Sequence, residues 1–185
     1  MLPLQFIVLF MIDMEYNDII MTGDDTHVRL SLEKPERKQL IVIGANPSTA
    51  TNTQKDNTMG CVTWIAQKNG FDGFIMLNLY AQRSTSPDNL DKEINQDLHK
   101  ANLENIQEIF KDKSSPVVLL AFGNIIEKRS YLKQCLADIV SVIQPTKPIW
   151  MQLGKLTKKG NPRHPLYHAN DSLLVFDMAA YLRNL

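Results

Sequence analysis

The chain has 185 residues, 44% of them hydrophobic and 22% charged, with twenty basic residues against twenty acidic ones. That length suits one domain, residues 1–185, with a sizeable core, and the composition excludes long disorder, a collagen-like repeat and a disulfide scaffold. A formal net charge of zero predicts neither a nucleic-acid nor a membrane partner, so any such partner must be met by a local patch.

The chain opens on MLPLQFIVLFMI, an apolar run closed by Asp13 and Glu15. It has about half the ~20 apolar residues of a membrane span, no cationic start and no small-residue cleavage site. Residues 1–27 are expected to form an N-terminal extension or a packed edge element. No membrane partner is expected. Cys61 and Cys135 are too few for a disulfide framework or a four-cysteine metal site, and two lone thiols fit a reducing cytoplasm.

Val28–Leu32 alternates apolar and polar residues, the pattern of a half-buried strand. Glu33–Lys38 is a polar turn. Gln39–Ile43 is a short apolar run ending at Gly44, which predicts a central strand covered on both faces. A loop rich in Asn, Thr, Ser and Pro follows. Met59–Asn69 then predicts a helix with Val62, Ile65 and Ala66 on one face and Gly70 as its stop. Phe74–Tyr80 is a second buried strand, followed by the loop AQRSTSP. Asp88–Lys111 carries apolar residues at helical spacing and predicts one long amphipathic helix. Val117–Phe122 is a third buried strand ending at Gly123. Asn124 can cap a helix running to about Ile143. Lys147–Leu153 is a fourth strand. A basic loop follows, and then a short C-terminal helix within 168–185. Trp64 and Trp150 lie on apolar faces and are expected in the core.

Strands alternating with helices predict an α/β fold, a three-layer α/β/α domain whose central, mostly parallel sheet has four or more strands. Ligands of such sheets sit beyond the carboxyl ends of the strands. The polar loops after Ile43, Tyr80, Phe122 and Leu153 fall there.

Gly44-Ala-Asn-Pro-Ser48 can turn sharply at Gly44, with Pro47 biasing Asn46 toward an extended backbone. Asn46 and Ser48 then either hold a ligand or water, or bond their own backbone. Asp56 is a general acid or base, or the cap of the helix that follows. Asn78 is an amide inside an apolar strand; its donor and acceptor can read a nucleobase edge or serve an internal bond. Arg83 can clamp a phosphate or carboxylate, or brace its loop through backbone carbonyls. Tyr80 and Tyr167 can stack on a base or pack at the core edge.

Charge is segregated. Ile139–Asn170 holds Lys147, Lys155, Lys158, Lys159 and Arg163 and no acidic residue, so it carries +5 and the rest of the chain −5. Lys155, Lys158, Lys159 and Arg163 are candidate phosphate contacts or simply a solvated face. His164 is a candidate acid, or a donor to a developing anion. His27, His99, His164 and His168 are scattered, without a metal-binding helical spacing, so no metal or cofactor is expected.

Together the segments IVIGANPSTA, DNTM, FIMLNLYAQRSTSP, VVLLAFG and LGKLTKKGNPRHPLY resemble the domain of unknown function 1643 family, in order from about Val28 to Tyr167. More distantly, GANPS, LNLYAQRSTSP, LLAFG and RHPLY are similar in type and order to the loops of uracil-DNA glycosylases. That resemblance implies a glycosylase-like fold. It implies that Asn46 lies in the loop positioning the attacking water, that Asn78 reads the base, and that His164 stabilises the leaving base. Gly44, Pro47, Ser48, Tyr80, Arg83 and Gly123 would line the substrate site. Three functions follow as expectations: a nucleobase-recognising hydrolase of the N-glycosidase kind, a non-catalytic nucleic-acid or nucleotide-binding module, and an enzyme acting on a phosphorylated or acidic metabolite.

Overall fold

The computed structural model describes residues 14–185, and the apolar opening segment lies outside the described residues. Seven strands form one sheet: β1 (Ile20–Gly23), β2 (Arg29–Lys34), β3 (Gln39–Gly44), β4 (Gly73–Asn78), β5 (Val117–Leu120), β6 (Ile149–Leu153) and β7 (Leu173–Val175), in the order β1-β2-β4-β3-β5-β6-β7. The four apolar runs form its parallel centre, with Ile41 opposite both Ile75 and Val118, and Val118 opposite Trp150. Residues on both faces of these strands are buried, which is why the runs lack alternation.

The sheet is mixed, not mostly parallel. Its β1–β2, β2–β4 and β6–β7 pairs are antiparallel. β4 is inserted between β2 and β3, so the polar turn over residues 35–38 spans a strand instead of closing a hairpin. β1 and β7 are short edges with mostly exposed side chains, and such segments carry little hydrophobic signal.

Helices cover both faces. α1 (Asn57–Lys68) sets Met59, Val62, Ile65 and Ala66 against Leu40, Val42, Phe74 and Met76. α2 (Gln96–Phe110) and α3 (Tyr131–Ile143) set Ile106, Phe110, Leu132, Leu136 and Ile139 against Ile41, Ile43, Ile75 and Leu77. Alternate residues of one strand thus feed two separate cores. Phe176 and Met178, the latter beginning the short α4 (Met178–Arg183), join the second of these.

Several expectations are corrected. The single helix over Asp88–Lys111 is a 3-10 turn at Pro87–Asn89, an irregular stretch, and then α2. Leu98 N–H donates to Asn95 Oδ1, so the helix starts at an asparagine cap. The stretch before it is held by distant partners: Tyr80 Oη donates to Asp91 Oδ2 at 2.9 Å, and the Arg129 guanidinium donates to the carbonyls of Asp88, Leu90 and Asp91. The helix expected from Asn124 begins only at Tyr131, after a 3-10 turn at Gly123–Glu127. Asn124 caps nothing there; its Oδ1 accepts from Thr157 Oγ1 and Asn161 Nδ2. Trp150 is buried, but Trp64 is 38% exposed, because it lies off the α1 stripe that faces the sheet.

Candidate functional site

A cleft of about 200 Å³ opens at the carboxyl ends of β3 and β4. The loop after β3 contributes Gly44, Asn46 and Ser48, the start of α1 contributes Asp56 and Thr58, the loop after β4 contributes Ser84 and Thr85, and His164 comes from the basic loop. Two stretches far apart in sequence, the segment from β3 to α1 and the basic loop, therefore bring Asn46, Asp56 and His164 to one cavity.

Asn46 is fixed by its neighbours. Its Nδ2 donates to the carbonyls of Pro47 and Ser84, each at 2.9 Å. Ser84 N–H donates to Pro47 O, so the loops after β3 and β4 are laced together. With both amide hydrogens engaged, Oδ1 is the group Asn46 has left for a ligand or water. Asp56 caps α1: Met59 N–H donates to Oδ1 at 2.9 Å, and Ala50 N–H donates to Oδ2 at 3.3 Å. The capping role is thus real, and it coexists with a place in the cleft wall.

His164 approaches closely because Gly123, just beyond β5, has no side chain. Gly123 adopts φ +58°, and a Cβ there would stand 3.1 Å from His164 Cβ. Leu166 N–H donates to His164 Nδ1 at 3.2 Å. A neutral ring accepting at Nδ1 carries its proton on Nε2, so His164 is a hydrogen-bond donor from that atom. Burial pushes its pKa below the usual histidine value; the Asp56 carboxylate opposes that shift and His168 adds to it. Lowering the pH therefore asks the folded protein for a protonation that the unfolded chain accepts more readily. Stability is then lost as pH falls from about 6.5. Protonation at Nδ1 would also turn that atom against the Leu166 N–H. Between pH 7 and pH 5 the wild type is expected to lose more melting temperature than His164→Gln; equal losses in thermal melts would refute this.

Asn78 closes β4 opposite Gly44. Its side chain is fully buried, and neither Oδ1 nor Nδ2 bonds to any described residue. It lies directly behind the cleft floor: a Cβ at Gly44 would stand 2.9 Å from Asn78 Oδ1 and 2.6 Å from the methyl of Met76, which itself lines the cleft.

Other candidates lie elsewhere. Arg83 is not among the residues lining the cleft and braces the chain: it donates to the carbonyls of Asp24, Ser48 and Ala50 and to Met21 Sδ. The Tyr80 ring is in the core, its hydroxyl bonded to Asp91 and to Asn95 N–H, while Tyr167 is 91% exposed. Pro47 is buried in its turn. Lys155, Lys158 and Lys159 are exposed outside the cleft, and Lys159 lines a separate groove with Glu127 and Tyr181. Arg163 is ion-paired to Asp171 at 3.3 Å and sits in a shallow depression that shares the His164 wall. Among the described residues no group of three or more His, Cys, Asp or Glu side chains converges as a metal site.

Of the cleft residues that sequence reading missed, Thr58, Ser84 and Thr85 among them, Arg29 is the charged one. In VRLSL it occupies a polar position and reads as solvent-facing, yet it is 2% exposed and lines the cavity. β2 runs antiparallel to β4, and Arg29 N–H donates to Ala81 O, so the first residue of β2 lands at the carboxyl end of β4. No local sequence signal announces this.

The fold and site define an α/β protein with a small polar cleft at the strand ends. The model of the family described as "Protein of unknown function (DUF1643)" matches residues 29–166, and the chain belongs to that family. No curated protein and no solved structure matches the chain. No helix among the described residues is long and apolar enough to cross a membrane.

Proposed function

We propose that the cleft recognises a nucleobase and that the protein is a hydrolase of the N-glycosidase kind, related in fold to uracil-DNA glycosylases and working in the cytoplasm, where its two free thiols are at home. The observation that carries this reading is the convergence of Asn46, Asp56 and His164 on one cavity with the unbonded amide of Asn78 directly behind its floor. A cavity of about 200 Å³ suits a single heterocycle with its sugar at the mouth.

The chemistry follows from the groups. The Asn78 amide offers the paired donor and acceptor that a base edge requires. Asn46 Oδ1 and the remaining lone pairs of Asp56 hold water in the same cleft. In hydrolysis that water forms the new bond to the sugar carbon and gives up a proton to the Asp56 carboxylate, the carbon–nitrogen bond breaks, and its electron pair leaves with the base, which then takes a proton from solvent. His164 Nε2–H donates to the charge that develops there, in a partly buried site where such a bond is strengthened. Lys155, Lys158 and Lys159 would meet flanking phosphates if the base arrives on a polynucleotide.

The test is base release from single- and double-stranded oligonucleotides carrying uracil or damaged bases, and from free nucleosides and nucleotides, with His164→Ala as control. Release that is lost in the variant supports the hydrolase. Salt-dependent binding without release supports the binding module instead. Absence of both binding and release refutes the base-recognition reading.

A further inference from the structure

Arg29 has no part in the chemistry above, and its surroundings are unusual for an arginine. A guanidinium has five N–H donors. Among the described residues Arg29 makes one side-chain hydrogen bond, from Nη1 to Ala50 O at 3.0 Å, and its Nε is buried without a partner. It belongs to no salt bridge, so no described carboxylate lies within 4.0 Å. Arg83 is a second cation close enough to repel it, and Asp56 attracts it only from a distance. Burial and that repulsion pull its pKa down to about 10, which still leaves it charged at neutral pH. A cation buried to 2% exposure without a contacting counterion is destabilising unless something supplies the missing charge. It lines the wall of the cleft.

We propose that Arg29 is the anion subsite of the cleft: it binds a phosphate or carboxylate carried on the same small molecule whose base the cleft holds, so the substrate class is a small anionic, base-bearing molecule. The reading rests on the cleft being a base site, and it adds the charge. Depth argues for a small molecule. Arg29 is 2% exposed and lines the cavity wall, so it is reached only by a group that enters the cavity.

Matched pairs test this: uracil against uracil-6-carboxylate, and uridine against uridine 5′-monophosphate, titrated by calorimetry into wild type, Arg29→Gln and Arg29→Lys. Inorganic phosphate and an oligonucleotide without a terminal phosphate serve as further arms. The anionic member of at least one pair should bind about 10-fold or more tightly than its neutral partner, the scale of a charge-assisted hydrogen bond. Arg29→Gln should erase the difference, and Arg29→Lys should retain part of it. Should the variants fail to fold, the Arg29 Nε–H resonance of labelled wild type gives the answer: it should move with the anionic members and not with the neutral ones.

Equal affinity within both pairs, or a difference that survives Arg29→Gln, overturns the anion subsite and leaves base recognition standing. Arg29-dependent binding of phosphate and of both anions without any preference for base upholds the subsite and overturns base recognition. Binding of the oligonucleotide alone, lost in Arg29→Gln, overturns the small-molecule assignment. Binding of nothing overturns both.

Discussion

Asn78→Leu is expected to raise the melting temperature and to end ligand binding in the cleft. The native amide is fully buried, with its donor and its acceptor both unbonded to any described residue. An unsatisfied buried polar group costs about 1–3 kcal/mol, and exchanging it for an apolar side chain of similar volume removes that cost. For a chain of this size each kcal/mol moves the melting temperature by roughly 2–4 °C. The surroundings favour the exchange, since the nearby Met76 belongs to an apolar cluster. Binding should disappear in the same variant, because leucine reads no base edge. Stability and function then move in opposite directions, as they do where a polar group is held ready for a ligand. A fall in melting temperature would show that the amide is satisfied in the free protein, and would remove the main support for base recognition.

Arg83→Ala is expected to destabilise by about 2–4 kcal/mol, the cost of several hydrogen bonds to a charged donor. One guanidinium ties Asp24 and Met21, at the β1 edge, to Ser48 and Ala50 in the loop after β3. Its removal takes this donor from the carbonyls of Asp24 and Ser48, leaves Ala50 O with its bond from Arg29, and unlaces the wall that carries Asn46. Arg83→Lys should be nearly as damaging, because a point charge cannot replace a planar fork that serves several acceptors. Thermal melts and proteolysis of the loop over residues 45–56 provide the measurement. An unchanged melting temperature with weakened binding of phosphate would place Arg83 in ligand contact and refute the bracing role.

The contrast between Arg83 and Arg29 shows how far residue type alone leads. Arg83 sits in a polar loop and invites a ligand role, yet its donors are engaged by backbone. Arg29 sits in an alternating strand and invites no role, yet it faces the cleft. The loop candidates at Gly44, Asn46, Ser48, Asp56 and His164 do meet in one cavity, because each follows an apolar run or a cap whose position is local information. The lysines of the basic loop do not join them. Their side chains are exposed to solvent.

The same division holds for the elements. Caps and buried runs are written in a few adjacent residues: Asp56 starting α1, Gly70 at φ +74° just beyond its end, and β3, β4 and β5 covered on both faces. The break before α2 depends on Arg129, some forty residues downstream, gripping the carbonyls of Leu90 and Asp91, and no window of local periodicity contains that partner. By itself, then, the amino-acid order settled the layered α/β class, the four parallel strands and the rim where the polar loops gather, since burial patterning acts between near neighbours. The tertiary structure alone decided that β4 slips between β2 and β3. That insertion sets β2 antiparallel beside β4 and carries a buried cation to the mouth of the parallel strands, because strand order is set by which edges pair across the whole chain.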